Sequence, residues 1–227
     1  MTDLLTLTGV TRRYGELVAV DAVSLSMAPG ERRALVGPNG AGKTTLLDLV
    51  AGTARPHAGR IVFDGRDVTS LDAVRRARLG IVRTHQQPAV WAAFSVLDNV
   101  VVGGWRRAGG LIRLYSPGRL RRHLVGPCLR ILDSVGLSGA VGVPAGALSH
   151  GQRRLLEIAI ALAGTPRLLL LDEPTAGLRP VEVEQLARVL AGLPGDVTVL
   201  LVEHHMEFAY ALADTVTVLR DGAVARC

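Results

Sequence analysis

Apolar β-forming residues alternate or cluster between turn residues over the first part of the chain, which predicts strands at residues 4–15, 17–30 and 31–37. The third of these is predicted to be a short buried strand. Residues 44–52 then carry apolar side chains at helical spacing and end on a glycine, which predicts a helix. The stretch between them therefore joins a buried strand to a helix.

The remainder of the chain predicts further strands and helices. Residues 59–68 predict a strand pair, and residues 95–105 and 117–137 predict helical segments separated by glycine-rich breaks. After these, helices at 151–164 and 181–193 alternate with strands at 167–174 and 197–205. This alternation predicts an α/β fold with a parallel sheet. We expect one domain over residues 1–227, with its core at about 1–85 and 150–227 and a helical subdomain at about 86–149.

Composition narrows the class of protein. With 227 residues and 48% hydrophobic positions the chain can bury a sizeable core. A net charge of +6 would suit nucleic acid or anionic lipid, but the preference for arginine over lysine runs across the whole chain and does not by itself indicate a binding patch. Cys128 and Cys227 stand far apart, so neither a metal cluster nor a disulfide framework is indicated. No window approaches eighteen uninterrupted apolar residues, and no signal peptide is evident, so we expect a soluble protein of a reducing cytosol.

The strand-to-helix loop carries the clearest chemistry. Of the 26 lysine and arginine residues in the chain, only Lys43, within this loop, is a lysine. A lysine puts a compact charge on a thin stem that can enter a narrow backbone loop. The loop reads GPNGAGKTT and fits the phosphate-binding pattern GxxxxGK[ST]. The predicted ATP-binding residues of this loop are Gly37, Pro38, Asn39, Gly40, Ala41, Gly42, Lys43, Thr44 and Thr45.

Two acidic residues follow the apolar strand at 168–171. Asp172 ends that strand and is placed to orient Mg²⁺ through water. Glu173 comes next and is placed to act as the general base that polarises an attacking water. The alternative is a pair of acids that only caps a strand end and turn, and the phosphate loop weighs against it.

A second candidate anion site lies more than a hundred residues after the phosphate loop and before the strand at 168–171. The small-residue loop LSHGQ opens a predicted helix, and helix N-termini bind anions. Taken alone, the loop is better explained as an ordinary helix N-cap in which Ser149 satisfies free backbone donors. The residues of this loop are Leu148, Ser149, His150, Gly151 and Gln152.

Together, the segments GPNGAGKTT, THQQ, LSHGQRR, LLLLDEPTAGL and VEHH resemble the ATP-binding cassette (ABC) transporter ATPases in order and spacing. The resemblance covers essentially the whole chain. It implies a P-loop NTPase core with a parallel sheet, an N-terminal antiparallel β region and a helical subdomain. It also implies a head-to-tail dimer in which Ser149 and Gly151 of one subunit contact the γ-phosphate that Lys43 of the other holds.

The same resemblance assigns roles to single residues. Tyr14 is similar to the aromatic residue that stacks on adenine, although it could instead be a half-buried strand aromatic. Gln86 is similar to the glutamine that couples Mg²⁺ and attacking water to the helical subdomain, with Gln87 as the adjacent alternative. His204 is similar to the histidine that contacts the γ-phosphate, with His205 beside it. The implied Mg²⁺ site comprises Thr44, Gln86 and Asp172.

The pieces RTHQ, LSHGQRRLLEIA, AGLRPVE and VEHHMEFAYALADTVTVL resemble the ATPases of bacterial branched-chain amino-acid uptake, the Liv type. Urea-uptake ATPases share some of these pieces, and a urea or short-chain amide importer is the alternative. The implied partners are membrane permease subunits, a second identical or paralogous ATPase subunit and, indirectly, an extracytoplasmic solute-binding protein. The implied location is the cytoplasmic face of the plasma membrane.

Two other classes of function were weighed. An ABC ATPase that acts on nucleic acid usually has two cassettes in one chain, or a long coiled coil between the first two motifs, and neither occurs here. A P-loop kinase or GTPase is a weaker match, because the guanine-reading NKxD motif requires a lysine and Lys43 is already used.

Overall fold

The computed structural model of the protein describes residues 2–84, 88–105 and 117–225, without the side chains of residues 117–122. The chain divides into two compact units. The α/β unit comprises Met1–Arg83, Arg167–Glu173 and Pro194–Cys227, and the helical unit comprises Thr84–Pro166 and Pro174–Leu193. The domain division expected from the sequence, with a core at about 1–85 and 150–227 and a helical subdomain at about 86–149, stays a prediction.

The first sheet of the α/β unit is antiparallel. It contains β1 (Leu5–Tyr14), β2 (Leu17–Met27), β4 (Ala58–Phe63) and β5 (Arg66–Asp67) in the order β2-β1-β4-β5. The apolar residues of β1 that the sequence pattern singles out are buried, among them Leu5, Leu7 and Val10. The predicted antiparallel β region is therefore confirmed.

The second sheet of the α/β unit is almost entirely parallel. It contains β3 (Arg32–Val36), β6 (Ile81–Arg83), β7 (Leu168–Asp172), β8 (Thr198–Val202), β9 (Thr215–Arg220) and β10 (Ala223–Val224). The order is β10-β9-β3-β8-β7-β6, and only β10 runs antiparallel to its neighbour. Every residue of β7 and β8 is buried, which explains their continuous apolar sequences.

Three helices belong to the α/β unit: α1 (Lys43–Ala51), α2 (Ala73–Leu79) and α7 (Met206–Leu212). The sequence pattern predicts α1 but neither of the others. In α2, the Asp72 side chain accepts a hydrogen bond from the Arg75 amide, and Gly80 ends the helix. These are ordinary signals for the start and end of a helix. A helix of seven residues, however, is too short for a hydrophobic periodicity to be recognised in the sequence.

Arg76 of α2 is fully buried beneath the end of α1. Its guanidinium donates to the carbonyl oxygens of Leu49 and Val50 in the last turn of α1, and to those of Thr69 and Leu71. It thus satisfies carbonyls that a helix end leaves without a partner. Burial lowers the pKa of this guanidinium to about 10, so the group stays charged at neutral pH.

The helical unit contains α3 (Val96–Trp105), α4 (Pro117–Ser134), α5 (His150–Ala163) and α6 (Pro180–Ala191). Two short 3₁₀ turns, Ser138–Ala140 and Ala145–Ala147, precede α5. Helix α3 packs closely on α5, since a Cβ at Gly103 would lie 2.4 Å from the carbonyl oxygen of Ile160. None of the helices in the described ranges combines the length and apolarity that a membrane span requires.

Candidate functional site

The predicted phosphate loop lies in the α/β unit between β3 and α1. Helix α1 begins at Lys43, with Gly42 as its N-cap residue, so Lys43, Thr44 and Thr45 form the first turn. The amide groups of a first turn have no acceptor within the helix, and the helix dipole places partial positive charge there. Backbone and dipole together make this turn suited to a phosphate group.

Two glycines of the loop are needed because other strands approach the backbone closely. A Cβ at Gly37 would lie 2.1 Å from the carbonyl oxygen of Leu219, and a Cβ at Gly42 would lie 2.1 Å from that of Ala19. Gly42 also has a positive φ of 95°, in the left-handed region that side chains disfavour. Any side chain at these two positions would displace the loop.

Lys43 is the buried cation of the loop, with only 5% of its surface exposed. Its Nζ donates to the carbonyl oxygens of Gly37 and Pro38 at 2.8 Å each. Burial lowers the pKa of the ammonium, while the carboxylates of Glu173 and Asp172 act in the opposite direction. The ammonium is therefore held inside the curve of the loop, close to two acidic side chains.

Asp172 lies beside the first turn of α1. It is 1% exposed, and the hydroxyl of Thr44 lies 3.5 Å from its Oδ1, a long hydrogen bond. Among the described residues, no three histidine, cysteine or acidic side chains are grouped to hold a metal ion. A hydroxyl and one carboxylate oxygen are hard ligands that fit Mg²⁺ only when phosphate oxygens and water complete its shell. The residues present therefore fit a metal that arrives with a nucleotide.

Glu173 follows β7 in a strained conformation. Its φ is 44°, in the left-handed region, and its amide donates to the carbonyl oxygen of Val202 at 2.9 Å. The carboxylate Oε1 lies 3.0 Å from Nε2 of His204, and a carboxylate can only accept, so the ring nitrogen donates. The structure thus joins two of the predicted catalytic residues. Strained residues of this kind cluster at functional sites.

Glu203 fixes the loop that carries His204, and sequence reasoning missed it. Its side chain is buried, and Oε2 accepts hydrogen bonds from the amides of His204 at 2.8 Å and His205 at 3.1 Å. His205 is the residue before α7 and makes no side-chain cap hydrogen bond there. The geometry therefore selects His204 over His205 as the partner of Glu173.

Tyr14 is the last residue of β1. It pairs with Leu17 of β2, and Ala19, two residues along that strand, has its carbonyl oxygen against Gly42. Tyr14 is 47% exposed, and the guanidinium of Arg12 lies 4.7 Å from the centroid of its ring. Arg12 thus lies over one face of the ring, and the stacking of Tyr14 on adenine stays a prediction.

The loop LSHGQ begins α5 in the helical unit. The Ser149 hydroxyl accepts from the Gln152 amide at 3.2 Å, and the Gln152 side chain accepts from the Ser149 amide at 3.0 Å. This is the N-cap arrangement that the sequence offers as an alternative to an anion site. A Cβ at Gly151 would lie 2.5 Å from Cδ of Glu182, so this glycine is also required by packing.

Gln86, Gln87 and His85 lie outside the described residues. The predicted role of Gln86 in catalysis and metal binding therefore stays a prediction. A second residue that sequence reasoning missed is Arg83, whose guanidinium donates to Oδ2 of Asp172 at 2.9 Å. The only signal in the sequence is its place in the segment RTHQ, three residues before the predicted glutamine.

A glycine-rich loop between strand and helix, a buried lysine in it and a strand-end aspartate beside it define the nucleotide site of a P-loop NTPase. Comparison with known proteins identifies the branch. The family model of ABC transporters matches residues 20–176. The chain therefore belongs to the ABC transporter family, as the ATP-binding and ATP-hydrolysing part of such a transporter.

Individual relatives agree with this family. The chain is 35% identical to the high-affinity branched-chain amino acid transport ATP-binding protein BraF of Pseudomonas aeruginosa, over 97% of this chain and 89% of BraF. It is 33% identical to the corresponding LivG of Escherichia coli, over 96% of this chain and 89% of LivG. Among solved structures, the ADP- and Pi-bound dimer of the ATP-binding cassette MJ0796 matches with a TM-score of 0.81 and 27% identity. That match covers 98% of this chain and 97% of MJ0796.

Replacement of Gly42 by alanine should be more damaging than replacement of Gly40. Both have positive φ, so each alanine costs about 1–2 kcal/mol of left-handed strain. Only Gly42 has backbone within 4 Å of the new Cβ, which adds about 1–3 kcal/mol of overpacking. Urea unfolding of Gly42→Ala and Gly40→Ala measures the difference. Equal losses of unfolding free energy would contradict the close approach of Ala19.

Proposed function

We propose that this chain is the ATPase subunit of a branched-chain amino-acid importer, and that ATP-driven closure of a dimer of such subunits energises a separate membrane permease. The observation that carries the hydrolytic part is the grouping of Lys43, Thr44, Asp172 and Glu173 around one loop. The observation that carries the importer branch is the identity to BraF and LivG over nearly the whole chain.

The triphosphate binds along the phosphate loop and the first turn of α1. Lys43 moves from the loop carbonyls to the β- and γ-phosphates, and the amides of the first turn complete the cradle. Thr44, Asp172 and Gln86 would hold Mg²⁺ that arrives with the nucleotide, Asp172 through water. When bound, Mg²⁺ neutralises charge on the phosphate oxygens. The exposed face of Tyr14 stacks on adenine.

Hydrolysis depends on Glu173 and His204. Glu173 polarises the attacking water, a contribution of about 10²- to 10⁴-fold in rate. His204 donates through Nε2 to the carboxylate of Glu173. In this proposal the His204 ring contacts the γ-phosphate once a nucleotide is bound. Glu203 supports both roles, because it fixes the backbone from which the His204 ring projects.

The second half of each ATP site comes from the partner subunit. The cap arrangement of Ser149 uses an acceptor lone pair of the hydroxyl, so its O–H can donate to a phosphate oxygen at the same time. The N-terminus of α5 adds the partial positive charge of its dipole. In this proposal Leu148, Ser149, His150, Gly151 and Gln152 of one protomer face the γ-phosphate bound by its partner. The MJ0796 structure is likewise a dimer of an ATP-binding cassette.

The cargo and location follow from the relatives rather than from the site. BraF and LivG are ATP-binding proteins of high-affinity branched-chain amino acid transport, and these names favour such a cargo over urea. The partners are then permease subunits and a second ATPase subunit, with a solute-binding protein acting through the permease. The chain binds at the cytoplasmic face of the membrane. A nucleic-acid partner is not expected.

Replacement of Glu173 by glutamine should lower ATP turnover by about 10²- to 10⁴-fold, because the amide cannot act as a base. ATP affinity should stay at the parent level, since the phosphate loop is untouched, and ATP should accumulate a closed dimer. Phosphate release, nucleotide binding and size-exclusion chromatography with light scattering measure the three effects. Glu207→Gln, on the exposed face of α7, is the control. Parent-level turnover in Glu173→Gln would mean that another group is the base.

Replacement of His204 and His205 separately by alanine tests which histidine serves the site. His204→Ala should lower kcat by about 10²- to 10³-fold, the usual loss when one donor to the transition state is removed. His205→Ala should turn over ATP near the parent rate, because its side chain makes no cap bond and Glu203 binds its backbone amide. The reverse order of effects would assign the contact with the γ-phosphate to His205.

Disruption of the gene in its host should abolish high-affinity uptake of radiolabelled leucine, isoleucine and valine and leave urea uptake unchanged. Complementation with the parent chain should restore uptake, and complementation with Lys43→Ala should not, because the phosphate loop then lacks its cation. Loss of urea uptake with normal leucine uptake would favour the urea importer and leave the ATPase assignment intact.

A further inference from the structure

Arg83 joins two acidic side chains of the α/β unit. It is the last residue of β6, its side chain is 10% exposed, and its guanidinium lies between Asp172 at the end of β7 and Asp48 of α1. One nitrogen is 2.9 Å from Oδ2 of Asp172, and another donates to Oδ1 of Asp48. A planar guanidinium can reach two carboxylates at once, whereas an ammonium is a point charge.

The contact with Arg83 divides the two oxygens of Asp172 between different partners. Oδ2 accepts from Arg83, while Oδ1 faces the hydroxyl of Thr44 at 3.5 Å. The terminal torsion of an aspartate has a broad energy minimum, so the carboxylate can turn freely unless a partner fixes it. With Oδ2 held by a charge-assisted hydrogen bond, Oδ1 stays on the side of Thr44.

Asp48 fixes Arg83 in turn. It lies one helical turn after Thr44 on α1, so both side chains project from the same face of that helix. The hydroxyl of Thr53 also donates to Oδ1 of Asp48, at 2.7 Å. Arg83 therefore connects the helix that carries Thr44 to the strand that carries Asp172.

We propose that Arg83 is a positioning residue for the metal of the nucleotide site: it orients Asp172 so that Oδ1 faces the Mg²⁺ beside Thr44. This inference rests on the proposed function, in which Thr44 and Asp172 hold Mg²⁺ with ATP. Groups that orient a metal's ligands typically contribute about 10- to 100-fold to metal affinity or activity. A merely structural brace would instead affect folding and leave the metal dependence unchanged.

The test measures how strongly Mg²⁺ tightens nucleotide binding, so it does not depend on turnover. The affinity for a fluorescent ATP analogue is titrated with saturating Mg²⁺ and with EDTA, and the ratio is the Mg²⁺ effect. Arg83→Met should reduce this ratio by about 10- to 100-fold. Its affinity in EDTA should match the parent, because Lys43 and the backbone amides hold the phosphates without metal.

Arg60→Met is the matched control, since Arg60 also pairs with an aspartate, Asp67, but both side chains are exposed. Exposed pairs contribute little, so both affinities should equal those of the parent. Arg83→Lys and Asp48→Asn provide milder variants if Arg83→Met does not fold. Each should lower the Mg²⁺ effect. The ammonium of Arg83→Lys is a point charge that replaces the planar guanidinium between the two carboxylates, and Asp48→Asn removes the charge that fixes the guanidinium.

The outcomes separate this inference from the function on which it rests. If the parent binds the analogue equally well with Mg²⁺ and EDTA, the proposed metal site is wrong. If the parent shows the Mg²⁺ effect and the folded Arg83 and Asp48 variants retain it in full, only the positioning role of Arg83 is overturned. Thermal unfolding of each variant identifies those that have lost the fold.

Discussion

The buried carboxylate of Asp172 is the constraint around which the candidate site is arranged. An ionised carboxylate inside a protein is costly unless charged or hydrogen-bonding groups surround it. Here Arg83 of β6 holds one oxygen, and the Thr44 hydroxyl of α1 lies near the other. The acid that would position the metal therefore also joins the phosphate-loop helix to two neighbouring strands. The same low exposure that makes the carboxylate costly makes its electrostatic contacts strong.

A second group of polar residues follows the neighbouring strand, β8. Glu203 is buried and accepts hydrogen bonds from the amides of His204 and His205. These bonds fix the backbone of His204, whose ring contacts Glu173. Glu173 itself has a left-handed backbone, a conformation that costs about 1–3 kcal/mol and persists only where its surroundings enforce it. Because β7 and β8 are parallel neighbours, their carboxyl ends meet, and the two loops can share one reaction centre.

Buried arginines show how little of the polar interior can be predicted from sequence. Arg75 and Arg76 are adjacent in α2, yet Arg75 is exposed and Arg76 lies fully buried against carbonyl oxygens at the end of α1. Nothing in the sequence distinguishes the two arginines, because the burial of Arg76 depends on carbonyl groups about 27 residues earlier in the chain. Arg83 is a similar case. Its partners Asp48 and Asp172 lie 35 and 89 positions away.

The sequence by itself determined the features that depend on neighbouring residues. The phosphate loop, the strand before it and the helix after it form one continuous segment, and the burial of β7 and β8 follows from their apolar composition. The order of motifs was also enough to assign the family. The tertiary structure decided which distant polar groups meet: His204 rather than His205 at Glu173, Arg83 at Asp172, and Glu182 against Gly151. The physical reason is that hydrogen bonds and ion pairs form between groups close in space, while periodicity in a sequence reports only burial along one element.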